Sequence, residues 1–166
     1  MTPTLTRRAF LSFGASALLC LALGTRMARA EAQTVTVMDA DTAFDAAKAG
    51  EIILVDIRTP DEWAETGVAE GAIGLDMTSE DFVASLARLR ETNPATPIAL
   101  ICRTGNRTGF ATQTLAKQGF PGLVDIKEGM AGGRNGTGWL KRGLPTYPGA
   151  QVQERTHARL GQHRGD

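Results

Sequence analysis

Pro97-Ile98-Ala99-Leu100-Ile101-Cys102-Arg103-Thr104-Gly105-Asn106-Arg107 decides how this chain is read. Its first five residues are a short apolar run, the pattern of a buried strand. The next six are a tight loop holding a cysteine, a glycine and two arginines. The following Thr108 to Lys117 reads as a helix with Phe110, Ala111 and Leu115 turned inward. A strand ending in a cysteine, with a helix aimed at the intervening loop, makes an anion pocket around a nucleophile. Loop N–H groups and the positive end of the helix favour negative charge at the sulfur. The thiolate is the reactive form of cysteine.

Working outward, strand and helix signals alternate. Thr34 to Met38 is an expected strand, followed by a short helix over Ala43 to Lys48 that Asp39 or Asp41 can cap and Gly50 ends. Ile52 to Val55 is a near-continuous apolar strand, the pattern of a parallel sheet covered on both faces. Pro60 to Glu65 reads as a helix with Thr59 as its cap and Gly67 as its stop. Ala72 to Leu75 is a short strand. A helix from Glu80 to about Arg90, capped by Thr78 or Ser79, carries Phe82, Leu86 and Leu89 on one face. Leu123 to Ile126 is a fifth strand, and Trp139 to Arg142 a last helix. The alternation predicts an α/β fold: a central, mostly parallel sheet of about five strands with helices on both faces. Ligands bind such sheets at the carboxyl ends of strands, where Asp56, Cys102 and Glu128 are placed. Pro148 to Asp166 reads as a polar, loosely ordered tail.

The ends bound the mature protein. Thr6-Arg7-Arg8-Ala9-Phe10-Leu11 is similar to a twin-arginine export signal, a receptor-read address. An apolar stretch from Phe10 to Leu23 follows, short for a membrane span. Ala28-Arg29-Ala30 is an A-x-A cleavage pattern. Residues 1–30 are therefore expected to be removed, residues 31–147 to form the domain and 148–166 the tail. The expected location is the bacterial periplasm, with contact to the export machinery and no stable membrane anchor. Arg7, Arg8, Arg26 and Arg29 are four of the eighteen lysines and arginines, so fourteen remain against eighteen acids. No basic run survives that would favour nucleic acid. Cys102 becomes the sole cysteine, excluding an intramolecular disulfide and a cysteine-based zinc site. His157 and His163 fall in the tail and read as solvated residues. No metal or cofactor is expected.

Cys-Arg-x-Gly-x-Arg after an apolar strand resembles the active-site loop of single-domain rhodaneses, which are sulfurtransferases. Other segments agree in order. Val55-Asp56-Ile57-Arg58, with Glu62-Trp63 after it, looks like the family's Asp-Val-Arg segment and its Glu-aromatic pair. Gly67 to Ala72 occupies the place of Gly-His-Ile-Pro-Gly-Ala, with Val68 and Glu70 where the family usually has histidine and proline. Gly129 to Gly133, Gly138-Trp139 and Gly143-Leu144-Pro145 match the closing region. The resemblance spans about Thr34 to Tyr147. It implies a rhodanese-like fold and transfer of sulfane sulfur from thiosulfate or a persulfide to cyanide, a thiol or a sulfur-accepting protein, through a persulfide on Cys102.

Under that reading Cys102 is the nucleophile and Arg103 the contact for an anionic donor at the pocket mouth. Thr104, Gly105, Asn106 and Arg107 complete the binding loop. Arg107, in the first turn of a helix, opposes the dipole and needs a carboxylate; Asp56 is the expected partner. Arg58 and Glu62, four apart, are expected to pair as scaffold. Trp63 and Trp139 are expected in the core. A cysteine phosphatase would hold phosphate in a Cys-x5-Arg loop; here only four residues intervene, and position 108 is threonine. The alternative from another class is a persulfide carrier or sulfur-binding module with little turnover.

Overall fold

Apolar runs too short for buried helices become the sheet. The computed structural model describes residues 33–161. Five strands, β1 (Thr36–Met38), β2 (Ile53–Asp56), β4 (Ile73–Gly74), β5 (Ile98–Ile101) and β6 (Leu123–Ile126), form one parallel sheet in the order β1-β6-β5-β2-β4. A second sheet pairs β3 (Val68–Ala69) antiparallel with β7 (Thr146–Tyr147). Side chains alternate between two cores, as strand geometry requires. In β5, Ala99 and Ile101 face one core with Leu54, Ile126 and Trp139, while Ile98 and Leu100 face the other with Val55, Leu86 and Leu115. The first core is covered by α1 (Ala40–Lys48). The second is covered by α3 (Phe82–Thr92) and α4 (Asn106–Lys117). The expected α/β architecture is present.

Helix α2 (Pro60–Thr66) begins as its residues predict. Pro60 tolerates the first turn, and the Glu62 carboxylate accepts the Thr59 backbone N–H at 3.2 Å. Trp63 turns into the core, and Trp139 is fully buried. Among the described residues no helix is long and apolar enough to cross a membrane.

Several expectations differ from the structure; helix α1, for one, starts at Ala40, three residues earlier than expected. Phe110 is 70% exposed: the buried face of α4 is Thr108, Ala111, Thr112 and Leu115, and Phe110 lies off that stripe. Trp139 to Arg142 is a single turn closed at Gly143, not a helix; the Arg142 N–H reaches the Gly138 carbonyl and nothing propagates it. Helix α3 starts at Phe82, two residues later than expected, with Asp81 at its cap. Lastly, the segment after Pro148 is folded to Gly161: a 3-10 turn (Gly149–Gln151) leads into α5 (Val152–Gly161), which lies on β4. Val152 and Thr156, one turn apart, are its buried residues. The Thr156 hydroxyl accepts from the Gly74 N–H at 3.1 Å and donates to the Gly74 carbonyl at 3.2 Å. A single side chain thereby satisfies backbone groups that an outermost strand otherwise presents to solvent. His157 is exposed on α5; His163 and residues 1–32 lie outside the described residues.

The two departures from the usual Gly-His-Ile-Pro pattern have local explanations. Val68 is fully buried in β3, and Glu70 pairs with Arg155 of α5 at 2.9 Å.

Candidate active site

Strand β5 delivers Cys102 to the carboxyl edge of the sheet, and the chain then turns sharply into α4. The turn is built on Gly105, which precedes the helix at φ +84. A Cβ there would collide with the Lys127 carbonyl oxygen, so both the conformation and the close approach require glycine. The Gly105 N–H points back to the Cys102 Sγ at 3.2 Å, and the Thr108 hydroxyl lies 3.7 Å from the same sulfur. Cys102 is 1% exposed. A negative sulfur here sees an N–H and the positive end of a twelve-residue helix.

Residues 127–131 form the opposite wall. Met130 and Ala131 donate backbone N–H groups to the carbonyls of Cys102 (2.7 Å) and Arg103 (2.8 Å). Asn135 donates to the Thr104 carbonyl at 3.2 Å. Glu128, placed near the site by the sequence, is engaged elsewhere. It forms a two-point pair with Arg142 and accepts the Gly138 N–H, which ties down the Gly129–Gly138 loop. Arg142 beside it holds its carboxyl down at about 2.

The ion pairs around the loop are exchanged relative to expectation. Arg107 does not meet Asp56. Its guanidinium forks onto the Glu62 carboxylate at 2.7 and 2.6 Å, joining the start of α4 to the start of α2. Arg58 does not use the Glu62 carboxylate either. It is 1% exposed and grips fully buried Asp56 through Nε and Nη2 at 2.7–3.0 Å, then donates to the Thr66 hydroxyl and the Gly67 carbonyl, each at 2.7 Å. Backbone direction decides this. Arg58 precedes the helix and turns inward, so its four-residue spacing to Glu62 is not a helical one. Burial pushes the Asp56 carboxyl up, and the Arg58 contacts oppose that rise. Asp56 and Arg58 are brought together beneath the site, while Arg107 is brought to its rim.

Arg103 is 54% exposed, 3.9 Å from Glu65, which is 61% exposed. Thr104 is half-buried and Asn106 exposed. A cavity of about 30 Å³ beside the loop is lined by Arg103, Glu65, Thr66, Met130, Ala131 and Leu140 among others. It is large enough for about one or two waters. Larger cavities, such as one of about 450 Å³ under α5 beside Trp63 and Thr156, lie away from the thiol. Sequence reasoning missed Thr108, Glu62 as partner of Arg107, Glu65 and the 127–131 wall. The spacing of Glu62 and Glu65, three apart on one face of α2, was the available signal for two of them.

The Glu62–Arg107 bridge has a pH signature. The Arg107 fork, outweighing burial, depresses the Glu62 carboxyl from 4.5 to about 2. A depressed carboxylate contributes stability above its unfolded pKa and loses it as pH falls through the folded one. The Tm is therefore expected to decline between about pH 4.5 and pH 2, by more in wild type than in Glu62→Gln. Parallel Tm curves for the two proteins across that window would show that the bridge contributes nothing to folding.

Relatives agree with this architecture. The Rhodanese-like domain profile matches residues 39–135. The uncharacterized protein RP600 of Rickettsia prowazekii is 28% identical over 98 residues, covering 55% of this chain and 80% of the relative. The crystal structure of Rv0390 from M. tuberculosis superposes with a TM-score of 0.55 at 22% identity, over 69% of this chain and 98% of that one. A polysulfide-sulfur transferase homodimer from Wolinella succinogenes aligns with a TM-score of 0.47 at 23% identity, over 69% and 79% of the two chains. A buried cysteine at a parallel strand end, a glycine turn aimed at its sulfur and a family profile covering more than half the residues lead to one assignment: this chain belongs to the rhodanese-like domain family.

Proposed function

We propose that the protein is a sulfurtransferase in which Cys102 carries sulfane sulfur between a small anionic donor and a thiophilic acceptor. The observation that carries this is the Gly105 N–H directed at the Cys102 Sγ at the head of α4. The thiolate attacks the outer sulfur of a donor such as thiosulfate. A new bond forms between Sγ and that sulfur, the donor S–S bond breaks, and sulfite leaves with the electron pair. Cyanide or a thiolate then attacks the outer sulfur of the Cys102 persulfide and returns the pair to Sγ. The test is mass spectrometry after exposure to thiosulfate, with cyanide added second. The expected result is one extra sulfur atom on Cys102, discharged as thiocyanate with repeated turnover. Loading without turnover would mark a carrier, and no loading with any sulfane donor would remove the reading.

Arg103 is the donor contact in this scheme. Arg103→Ala removes a charge-assisted contact of about 1.5–3 kcal/mol, so rates with thiosulfate should fall about one to two orders of magnitude. The Tm should hardly move, because the side chain is 54% exposed. Unchanged thiosulfate kinetics would exclude Arg103 from the donor site.

We place the enzyme in the periplasm on the strength of residues 1–30 alone, which lie outside the described residues. Replacing Arg7 and Arg8 together by lysine is expected to stop export and leave the precursor in the cytoplasm. Normal processing of that variant would show that the twin-arginine pattern is not the operative signal.

A further inference from the structure

Asp125 of β6 is a half-buried acid with no ion-pair partner among the described residues. It registers with Leu100 of β5, whose face of the strand also carries Cys102. Its carboxyl lies against the first turn of α4, where Gly109 has no side chain to cover it: a Cβ there would stand 3.6 Å from Asp125 Oδ2. The Thr108 hydroxyl is beside the same carboxyl, yet Oδ1 is buried without a hydrogen bond. An acceptor left bare in this way is costly, and protonation removes the cost of the charge. Thr108 is itself fully buried, and its Oγ1 is 3.7 Å from the Cys102 Sγ. The hydroxyl now donates to the Gly105 carbonyl at 3.0 Å, and such a rotor can swing to another acceptor. Sulfur, hydroxyl and carboxyl thus stand in one row.

Other charges nearby are committed. Lys127, two residues on, pairs with Asp39, and Arg107 pairs with Glu62. Val37 registers with Asp125 from β1 and Leu100 from β5. The remaining titratable neighbour, across Thr108, is Cys102. Burial pushes the Asp125 carboxyl up, against the pull of the Thr108 hydroxyl, which narrows the gap to a thiol.

From this row we infer that Asp125 is the proton acceptor for Cys102, reached through Thr108. The inference deepens the sulfur-transfer reading and rests on it for the use of the thiolate. The thiol proton passes from Sγ to Thr108 Oγ1 as the hydroxyl proton passes to an Asp125 oxygen. Sγ keeps the electron pair of its S–H bond and directs it at the donor sulfur. The carboxyl becomes neutral, and the net charge of the row does not change. Asp125 is a positioning residue: it decides where the proton rests and touches no substrate. Two groups that share one proton titrate as a pair, and between their two apparent pKa values the share of thiolate does not vary with pH.

The probe is methyl methanethiosulfonate, a small neutral reagent that reacts with the thiolate, and the measurement is its rate on Cys102 from about pH 5 to about pH 9.5. In wild type the rate is expected to level off below about pH 7. In Asp125→Asn and Thr108→Val it should keep falling about tenfold per pH unit, leaving a difference of about a hundredfold at about pH 5. Thr108→Ser, which keeps a hydroxyl, should retain the plateau; if Asp125→Asn does not fold, the two Thr108 variants decide. Parallel curves for wild type and Asp125→Asn, or a plateau that survives in Thr108→Val, overturn the inference while leaving sulfur transfer standing. A wild type that shows the plateau but loads no sulfur from thiosulfate or polysulfide overturns the transfer reading and leaves the proton step.

Discussion

Cys102→Ser is expected to lose more than about three orders of magnitude in sulfur transfer, because the atom that forms the persulfide is gone. Serine oxygen forms no equivalent sulfane bond, and among the described residues no second thiol replaces it: Thr108 offers only a hydroxyl, at 3.7 Å from Sγ. The fold should persist. The Gly105 N–H keeps an acceptor in the serine oxygen, and the cost of a hydroxyl where Cys102 is 1% exposed is about 1–3 kcal/mol. The measurement is thiocyanate release alongside thermal unfolding. Substantial activity in a folded Cys102→Ser protein would eliminate the covalent route.

Arg58→Met should produce the largest loss of stability of any single change around the loop. Arg58 is 1% exposed and Asp56 fully buried, so removing the cation strands a carboxylate in the core. The Thr66 hydroxyl and Gly67 carbonyl lose their partners as well. Breaking one side of a buried pair costs about 3–5 kcal/mol, equivalent to a fall of about 10–20 °C in Tm for a domain of this size. The double variant with Asp56→Leu should recover part of the loss, since an apolar pair of similar volume leaves no buried charge. A single variant within about 1 kcal/mol of wild type would show that water reaches the pair. This effect is distinct from that of Arg103, whose removal acts on turnover.

The strands and the nucleophile were legible because their signals are local. Ile98 to Ile101 can hardly be anything but a buried strand, and a glycine three residues past a cysteine marks the turn. Partner choice was not legible. Arg58 and Glu62 have helical spacing but not helical geometry, since Arg58 precedes the Thr59 cap and reaches inward to Asp56. Glu62 and Arg107 are 45 residues apart, and only the packing of α2 against α4's start brings them together. The pairing of Val68–Ala69 with Thr146–Tyr147 involves strands too short to carry a period. Helix α5 hides its function in two positions, Val152 and Thr156, of an otherwise polar segment. Phe110 misled because hydrophobicity alone was counted, not its angle around α4.

The strand order has a consequence for biosynthesis. Among the described residues the first strand, Thr36–Met38, has one sheet neighbour, Leu123–Ile126, so it waits for most of the domain to be synthesised before it pairs. The wall behind the nucleophile comes later still: Met130 and Ala131, whose N–H groups hold the carbonyls of Cys102 and Arg103, follow that strand. Until they emerge from the ribosome, the thiol has neither its cradle nor its burial. Such distant pairings slow folding and lengthen the life of incomplete states. The nascent chain therefore leaves the Cys102 thiol uncovered until that wall is made, and the yield of active protein should depend on how reducing its surroundings are during synthesis.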